Sequence, residues 1–98
     1  MKLDECRKEI DAIDTEILVL LNRRADLSSR IGRIKTIAAL PIVDQGREEI
    51  VIRRVVRENP GDIGDHALAR IYHEILSESR RIQNAVASDL VSSGELGK

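Results

Sequence analysis

The sequence predicts an all-α protein built from three helices, long, short and long. Apolar side chains recur every three or four residues through most of the 98-residue chain, which is helical spacing. The chain has one tyrosine and no phenylalanine or tryptophan, so its core must be aliphatic. No segment alternates apolar and polar residues between hairpin turns, which is the pattern of a sheet. Together these observations favour packed helices.

The first predicted helix spans residues 2–38 and carries a heptad seam. Pro41 ends it, because the residue before a proline disfavours helical geometry. At about 1.5 Å per residue the helix is about 55 Å long, more than a compact domain of this size can cover. Its seam therefore needs a second chain, and we expect an intertwined antiparallel helical homodimer. The seam consists of Leu3, Cys6, Ile10, Ile13, Ile17, Leu20, Leu27, Ile31 and Ile34.

The second predicted helix spans residues 45–59. Asp44 is expected to cap it, and it stops at the Asn59-Pro60-Gly61 sequence. Its predicted buried side consists of Ile50, Val51, Val55 and Val56.

The third predicted helix begins after Asp65, which is expected to cap it. We expect residues 1–92 to form one helical domain and residues 93–98 to form a disordered tail. The apolar positions of this helix are Leu68, Ile71, Ile75, Ile82, Val86 and Leu90.

Composition argues against several classes of protein. The formal net charge is −1, whereas a domain that binds nucleic acid is usually strongly basic. The single cysteine, Cys6, is expected to be a small buried apolar residue, and with only His66 and His73 beside it no zinc site is predicted. No apolar run approaches the about 20 residues that span a bilayer, and the opening residues MKLDECRKE have no signal-peptide pattern, so we expect a cytoplasmic protein.

Polar residues interrupt the apolar faces of the two long helices. Arg24 lies on the seam of the first helix, and Lys35, eleven residues later, falls within about 20° of the same face. On the third helix Ser79 takes a seam position, and Gln83 follows one turn later. These residues also have a structural interpretation. Arg24 and Lys35 can extend to solvent or pair with a carboxylate. Ser79 and Gln83 can form hydrogen bonds between two helices.

Two more charged residues, Arg47 and Glu48, lie in the first turn of the second helix behind Asp44, and a solvated helix start is their structural alternative. Taken together, these inward-facing candidates are rich in cations and hydrogen-bond donors and include no histidine or cysteine. Such a pocket suits a small dicarboxylate.

Arg7 lies 17 residues before Arg24 on the same helix, about 25 Å away along its axis. One small ligand cannot contact both within a single chain. If the two long helices pair antiparallel, Arg7 of one chain approaches Arg24 of the other, and the dimer has two shared sites.

Four segments resemble the all-α, or type II, chorismate mutase family: CRKEIDAIDTEILVLLNRR, IGRIK, PIVDQGREE and SESRRIQ. The resemblance covers about residues 3–90. It implies an isomerase that rearranges chorismate to prephenate in phenylalanine and tyrosine biosynthesis, with no cofactor and no metal. The implied partners are the small-molecule substrate and a second copy of the chain, with no nucleic acid and no membrane.

The resemblance also implies a role for each candidate. The partner's Arg7 and Arg24 would bind the two substrate carboxylates, assisted by Ser79. Lys35 and Gln83 would donate to the ether oxygen. The remaining residues, Asp44, Arg47 and Glu48, would surround the ring hydroxyl, with Glu48 accepting its proton in a hydrogen bond.

Two alternative functions stay open. An isochorismate-pyruvate lyase shares the scaffold and the carboxylate clamp, and the acidic residues Asp44 and Glu48 favour the mutase over it. A non-catalytic regulatory module that binds chorismate or prephenate is the other, and the joint presence of Lys35 and Gln83 favours catalysis.

Overall fold

The computed structural model describes residues 2–94 and contains three α-helices. They are α1 (Leu3–Ile37), α2 (Gln45–Arg57) and α3 (Asp65–Ser92). No strand occurs in the described part of the chain. The order of a long, a short and a long helix confirms the predicted all-α fold. The tail prediction falls mainly on residues 95–98, outside the described residues.

The end of α1 follows from the chain turning before Pro41. Ala39 adopts a left-handed conformation, with φ of 56°, and the Leu40 amide donates to the Lys35 carbonyl over 2.7 Å. A left-handed residue just past a helix is a common way to satisfy its last carbonyls. The predicted end at residue 38 is one residue beyond the observed end.

The predicted cap of α2 is confirmed, because the Asp44 carboxylate accepts from the Arg47 amide over 2.9 Å.

The predicted cap of α3 is wrong. Gly64 occupies that position, and Asp65 is already helical. The Asp65 carboxylate instead accepts from the side-chain amide of Asn59 over 3.4 Å. The Asn59 amide, which also donates to the Ile63 carbonyl, stabilises the loop that the prediction had treated as a simple stop.

Helix α3 is the centre of the fold, because both α1 and α2 pack against it. It runs parallel to α1, since Ser28 contacts Ser79 and Gly32 lies against Gln83. It runs antiparallel to α2, because Glu48 near the start of α2 pairs with Arg80, while Ile52 shares a depression with His73.

The apolar core within one chain is small. Val51, Leu76 and Leu90 are its buried apolar residues. Leu76 was not predicted, because α3 has two packed sides and the periodic pattern marked only one. Ile50, predicted to be buried, is 56% exposed, so α2 presents a narrower apolar face than its sequence indicates.

Much of α1 projects from this core. Every residue from 7 to 23 is exposed, and Cys6, predicted to be buried, is only half-buried. The radius of gyration is 17.4 Å, compared with about 13 Å expected for a compact chain of this length. The predicted inability of α1 to bury its seam within one chain is therefore confirmed.

Residues 2–94 contain neither a membrane-spanning helix nor a cluster of metal ligands. No helix in this range is both long and apolar enough to cross a membrane. No group of three or more histidine, cysteine, aspartate or glutamate side chains in the same range is arranged to hold a metal ion.

Candidate active site

The three helices and the loop after α1 line a partly open cavity of about 390 Å³. This volume lies within the usual range of small-molecule sites, about 300–1,000 Å³. Leu27, Ile31, Ile42, Val51 and Leu76 form its apolar wall. Its polar and charged lining consists of Arg24, Ser28, Lys35, Asp44, Arg47, Glu48, Ser79, Arg80 and Gln83.

The wall from α1 carries two cations, both half-buried. Arg24 and Lys35 face the same cavity, as their angular spacing predicts. The Lys35 ammonium donates to the Ile42 carbonyl over 2.8 Å, which ties the end of α1 to the following loop. An ammonium group has three donors, so Lys35 retains two for a ligand.

A chain of hydrogen bonds crosses from α1 to α3. The hydroxyls of Ser28 and Ser79 lie 2.6 Å apart, and the Gln83 Nε2 donates to the Ser79 Oγ over 3.3 Å. Gln83 is 7% exposed, and its Oε1 is buried with no hydrogen-bond partner among the described residues. A buried amide oxygen without a partner costs free energy, which favours an arrangement of the amide in which Oε1 gains a donor.

Gly32 lets α1 approach α3 closely beside this chain. A Cβ at position 32 would lie 2.8 Å from the Gln83 Cα and 3.1 Å from its carbonyl oxygen. Since carbon atoms do not approach so closely, glycine is required for the present position of Gln83.

The wall from α2 is built by a helix start and an ion pair. Asp44 is exposed and bonds the Arg47 amide, so its carboxylate is partly used in capping. Glu48 accepts a hydrogen bond from the Arg80 guanidinium of α3, and their side chains are 22% and 34% exposed. This pair joins α2 to α3 at the cavity.

The arginine that follows Arg80 behaves differently. Arg81 donates to Glu78 within α3, and both side chains are more than half exposed. This hydrogen bond, with the attraction of the two charges, lowers the pKa of Glu78 from its ordinary value. Arg81 does not line the cavity.

The structure brings all but one of the sequence-predicted site residues to this cavity. The exception is Arg7, which is exposed on the projecting part of α1. The residues gathered are Arg24, Lys35, Asp44, Arg47, Glu48, Ser79 and Gln83.

Three residues that make the contacts around this cavity were not predicted: Ser28, Gly32 and Arg80. A small residue at positions 28 and 32, one turn apart beside the seam, is the only sequence signal for the close contact between α1 and α3. Arg80 has no such signal, because nothing in the sequence separates it from Arg81.

The cavity is electropositive. Four cationic side chains, Arg24, Lys35, Arg47 and Arg80, face two carboxylates, Asp44 and Glu48. The excess of two positive charges matches a ligand with two carboxylates.

Comparison with known proteins gives one consistent family. Residues 6–84 match chorismate mutase type II. The chain is 44% identical over 89 residues to the bifunctional chorismate mutase/prephenate dehydratase of Aquifex aeolicus, covering 87% of this chain and 25% of that protein. The alignment with a second bifunctional relative, from Neisseria gonorrhoeae, covers 21% of that protein. The chain thus spans about a quarter of the length of these relatives.

Shorter relatives are covered almost completely. The chorismate mutase of Methanocaldococcus jannaschii is 31% identical, with 84% of each chain aligned. The 4-amino-4-deoxychorismate mutase of Streptomyces venezuelae is 32% identical, with 89% of this chain and 85% of that protein aligned. The solved chorismate mutase of Thermus thermophilus superposes with a TM-score of 0.78 at 37% identity, covering 81% of this chain and 99% of that one.

Proposed function

The chain belongs to the type II chorismate mutase family, and we propose that the protein rearranges chorismate to prephenate in phenylalanine and tyrosine biosynthesis. The main support is the cation-rich cavity, which brings Arg24, Lys35 and Gln83 together. A cytoplasmic location is part of the proposal: a doubly charged substrate does not cross a membrane unaided, so the enzyme is expected in the compartment where its substrate is made.

The proposed reaction requires positioning and charge stabilisation only. One carbon–oxygen bond of the enolpyruvyl ether breaks while a carbon–carbon bond to the ring forms, with no proton transfer. An acceleration of about 10⁶ corresponds to about 8 kcal/mol of barrier. Holding the reactive conformer and stabilising the charge that grows on the ether oxygen are the two available sources.

At one end of the proposed site Arg24 binds a substrate carboxylate, assisted by Ser79. The guanidinium has paired donors that match a carboxylate, and α1 holds it half-buried, where an ion pair is less screened than in solvent. In the middle, Lys35 and Gln83 donate to the ether oxygen. At the other end, Asp44, Arg47 and Glu48 surround the ring hydroxyl.

We expect Lys35→Ala and Gln83→Ala to lower kcat by about 100-fold or more, because each removes a donor to charge that grows in the transition state. KM should change much less. Steady-state kinetics with chorismate measures both. Arg30→Ala, which removes an exposed cation of α1, is the control. An unchanged kcat in Lys35→Ala would contradict its assignment.

We further propose an intertwined homodimer in which the partner's Arg7 completes each site. The support is the uncovered apolar surface of α1, with Ile10 at 55%, Ile13 at 53% and Leu20 at 57% exposure. An apolar depression of about 240 Å³ adjoins Arg24, between α1 and α3, and offers space for side chains of a helix of the second chain.

Mixing two inactive variants tests the shared site. Arg7→Ala and Arg24→Ala homodimers should each be inactive. After unfolding and joint refolding, about half of the dimers combine one chain of each kind, and each such dimer has one intact site. The expected recovery is about a quarter of the parental activity. No recovery in a mixture shown by mass spectrometry to contain the mixed dimer would exclude sharing.

Product identification tests the function itself. The protein is incubated separately with chorismate and with isochorismate, and the products are identified by proton NMR. Prephenate from chorismate is expected, with Arg24→Ala inactive and the exposed neighbour variant Arg23→Ala active. Pyruvate from isochorismate alone would indicate the lyase. If neither compound is converted, the non-catalytic binding module is the remaining alternative.

The Streptomyces venezuelae relative is named for a substrate with an amino group in place of the ring hydroxyl. For this chain we propose the hydroxyl compound. The two substrates differ only where the proposed pose places Glu48, so residues around Glu48 must govern the choice.

A further inference from the structure

Arg80 is a cation of the cavity to which the family resemblance assigns no role. Its guanidinium donates to Glu48 across the interface of α2 and α3, and both side chains are mostly shielded from solvent. Its neighbour Arg81 is 66% exposed and pairs within α3. The adjacent arginines therefore form a natural pair for comparison, of which only Arg80 reaches the site.

We propose that Arg80 is a specificity-determining positioning residue, which makes this site prefer a ring hydroxyl to a ring amino group. The inference rests on the proposed function, in which Glu48 accepts a hydrogen bond from the ring substituent. Arg80 acts through Glu48, whose carboxylate it holds in place and whose charge it offsets.

The two substituents respond differently to the ion pair. A carboxylate has about four lone-pair positions, so Glu48 can bond Arg80 and still accept a hydrogen bond from a neutral hydroxyl. An aliphatic amine carries a proton at neutral pH and would be attracted by an unpaired carboxylate. With Arg80 on Glu48, the same ammonium group meets a neutralised carboxylate and a nearby guanidinium.

Arg47 adds to this effect, because it lines the same end of the cavity one residue before Glu48. An ammonium group there has the guanidinium groups of Arg47 and Arg80 nearby, which together offset the charges of the two carboxylates, Asp44 and Glu48. Repulsion of the competing ligand is a common source of specificity. Without Arg80, Glu48 would be the dominant charge and the preference would move toward the amine.

The test compares kcat/KM for chorismate and for 4-amino-4-deoxychorismate in the parent, Arg80→Gln, Arg80→Lys and Arg81→Gln. In Arg80→Gln the ratio of hydroxyl to amino substrate should fall about tenfold, mainly through a lower KM for the amino compound. Arg80→Lys keeps the charge and should keep most of the ratio. Arg81→Gln should match the parent.

A double-mutant cycle tests the route through Glu48. In the Glu48→Gln background, Arg80→Gln should change the ratio clearly less than in the parent, since only the direct repulsion by the Arg80 guanidinium is then lost. Circular dichroism and the denaturation midpoint confirm that each variant is folded.

Three outcomes would overturn the proposal. The first is an unchanged ratio of kcat/KM in folded Arg80→Gln. The second is an equal loss of kcat/KM for both substrates, which indicates a structural role alone. The third is a full effect of Arg80→Gln on the ratio in the Glu48→Gln background. A parent that converts chorismate while any of these holds leaves the proposed function intact. A parent that does not convert chorismate removes the proposed function and this inference together.

Discussion

Gln83 has its amide oriented with Nε2 toward Ser79 and Oε1 without a partner among the described residues. The two ends of an amide have nearly the same shape, so half a turn about the last bond exchanges them. The Ser79 hydroxyl then donates to Oε1, Ser28 donates to Ser79, and Nε2 takes the position that Oε1 now holds. A substrate ether oxygen needs that donor, so we expect the two serines to favour the turned amide when substrate is bound.

We expect Ser28→Ala to lower kcat by between about 2-fold and 10-fold, which corresponds to one net hydrogen bond of about 0.5–1.5 kcal/mol. The substitution leaves Ser79 free to donate in other directions, so fewer molecules hold Gln83 in the productive orientation. Ser29→Ala, one residue along the helix and outside the cavity lining, is the matched control. Equal kcat values for the two variants would contradict this role for Ser28.

The contact between α1 and α3 depends on the missing side chain of Gly32. In most helices a change from glycine to alanine is stabilising by about 1 kcal/mol. Here the added carbon would be 2.8 Å from the Gln83 Cα, which is backbone and cannot rotate away. The helices must separate, and the cost of separation exceeds the gain in helix propensity.

We therefore expect Gly32→Ala to lower the free energy of unfolding by about 1–3 kcal/mol, measured by urea denaturation. Gly46→Ala is the control, because its Cβ would lie 3.6 Å from an Asp44 oxygen, which is ordinary contact. That variant should be as stable as the parent or slightly more so. A stabilised Gly32→Ala would show that the two helices move apart at little cost.

The helices themselves were largely predictable, because their signals are local. Pro41 and Asp44 mark an end and a start within a few residues of sequence, and the observed bounds lie within two residues of the prediction. Gly64 was missed as the cap of α3, since an aspartate next to it gave the stronger signal. A capping rule cannot tell which of two adjacent residues is the N-cap and which is the first residue of the helix.

The site was predictable where a polar residue interrupts an apolar face, as Arg24 and Gln83 do. It was not predictable where the role of a residue depends on which neighbouring helix packs against its side of the helix. Arg80 and Arg81 are identical in sequence terms, and only the antiparallel packing of α2 gives one of them Glu48 as a partner. Gly32 likewise has meaning only once the offset of α3 against α1 is known.

At the scale of the whole molecule, α1 is the longest element and the one least covered by its own chain. The extents of 62 × 26 × 14 Å show a chain far from spherical. Most helical stability in proteins comes from the packing of an apolar face, so the exposed segment from 7 to 23 needs a packing partner. In the proposed dimer that packing comes from the second chain.

We expect Ile13→Glu to abolish the dimer, because it places a charge in the apolar seam where no partner is available. Size-exclusion chromatography with light scattering should give the mass of one chain, and chorismate turnover should be lost. Thr15→Glu adds the same charge about 200° around the helix and should remain dimeric. A dimeric, active Ile13→Glu protein would exclude the proposed seam.

The uncovered half of α1 also affects the time course of folding. After dilution from denaturant, α2, α3 and residues 24–36 of α1 can associate within one chain, a first-order step. Residues 7–23 find their partner only by collision, a second-order step. The recovery of helical circular dichroism should therefore have a late phase that shortens as the protein concentration rises. In dilute solution the lag before catalysis begins would be set by how often two chains meet.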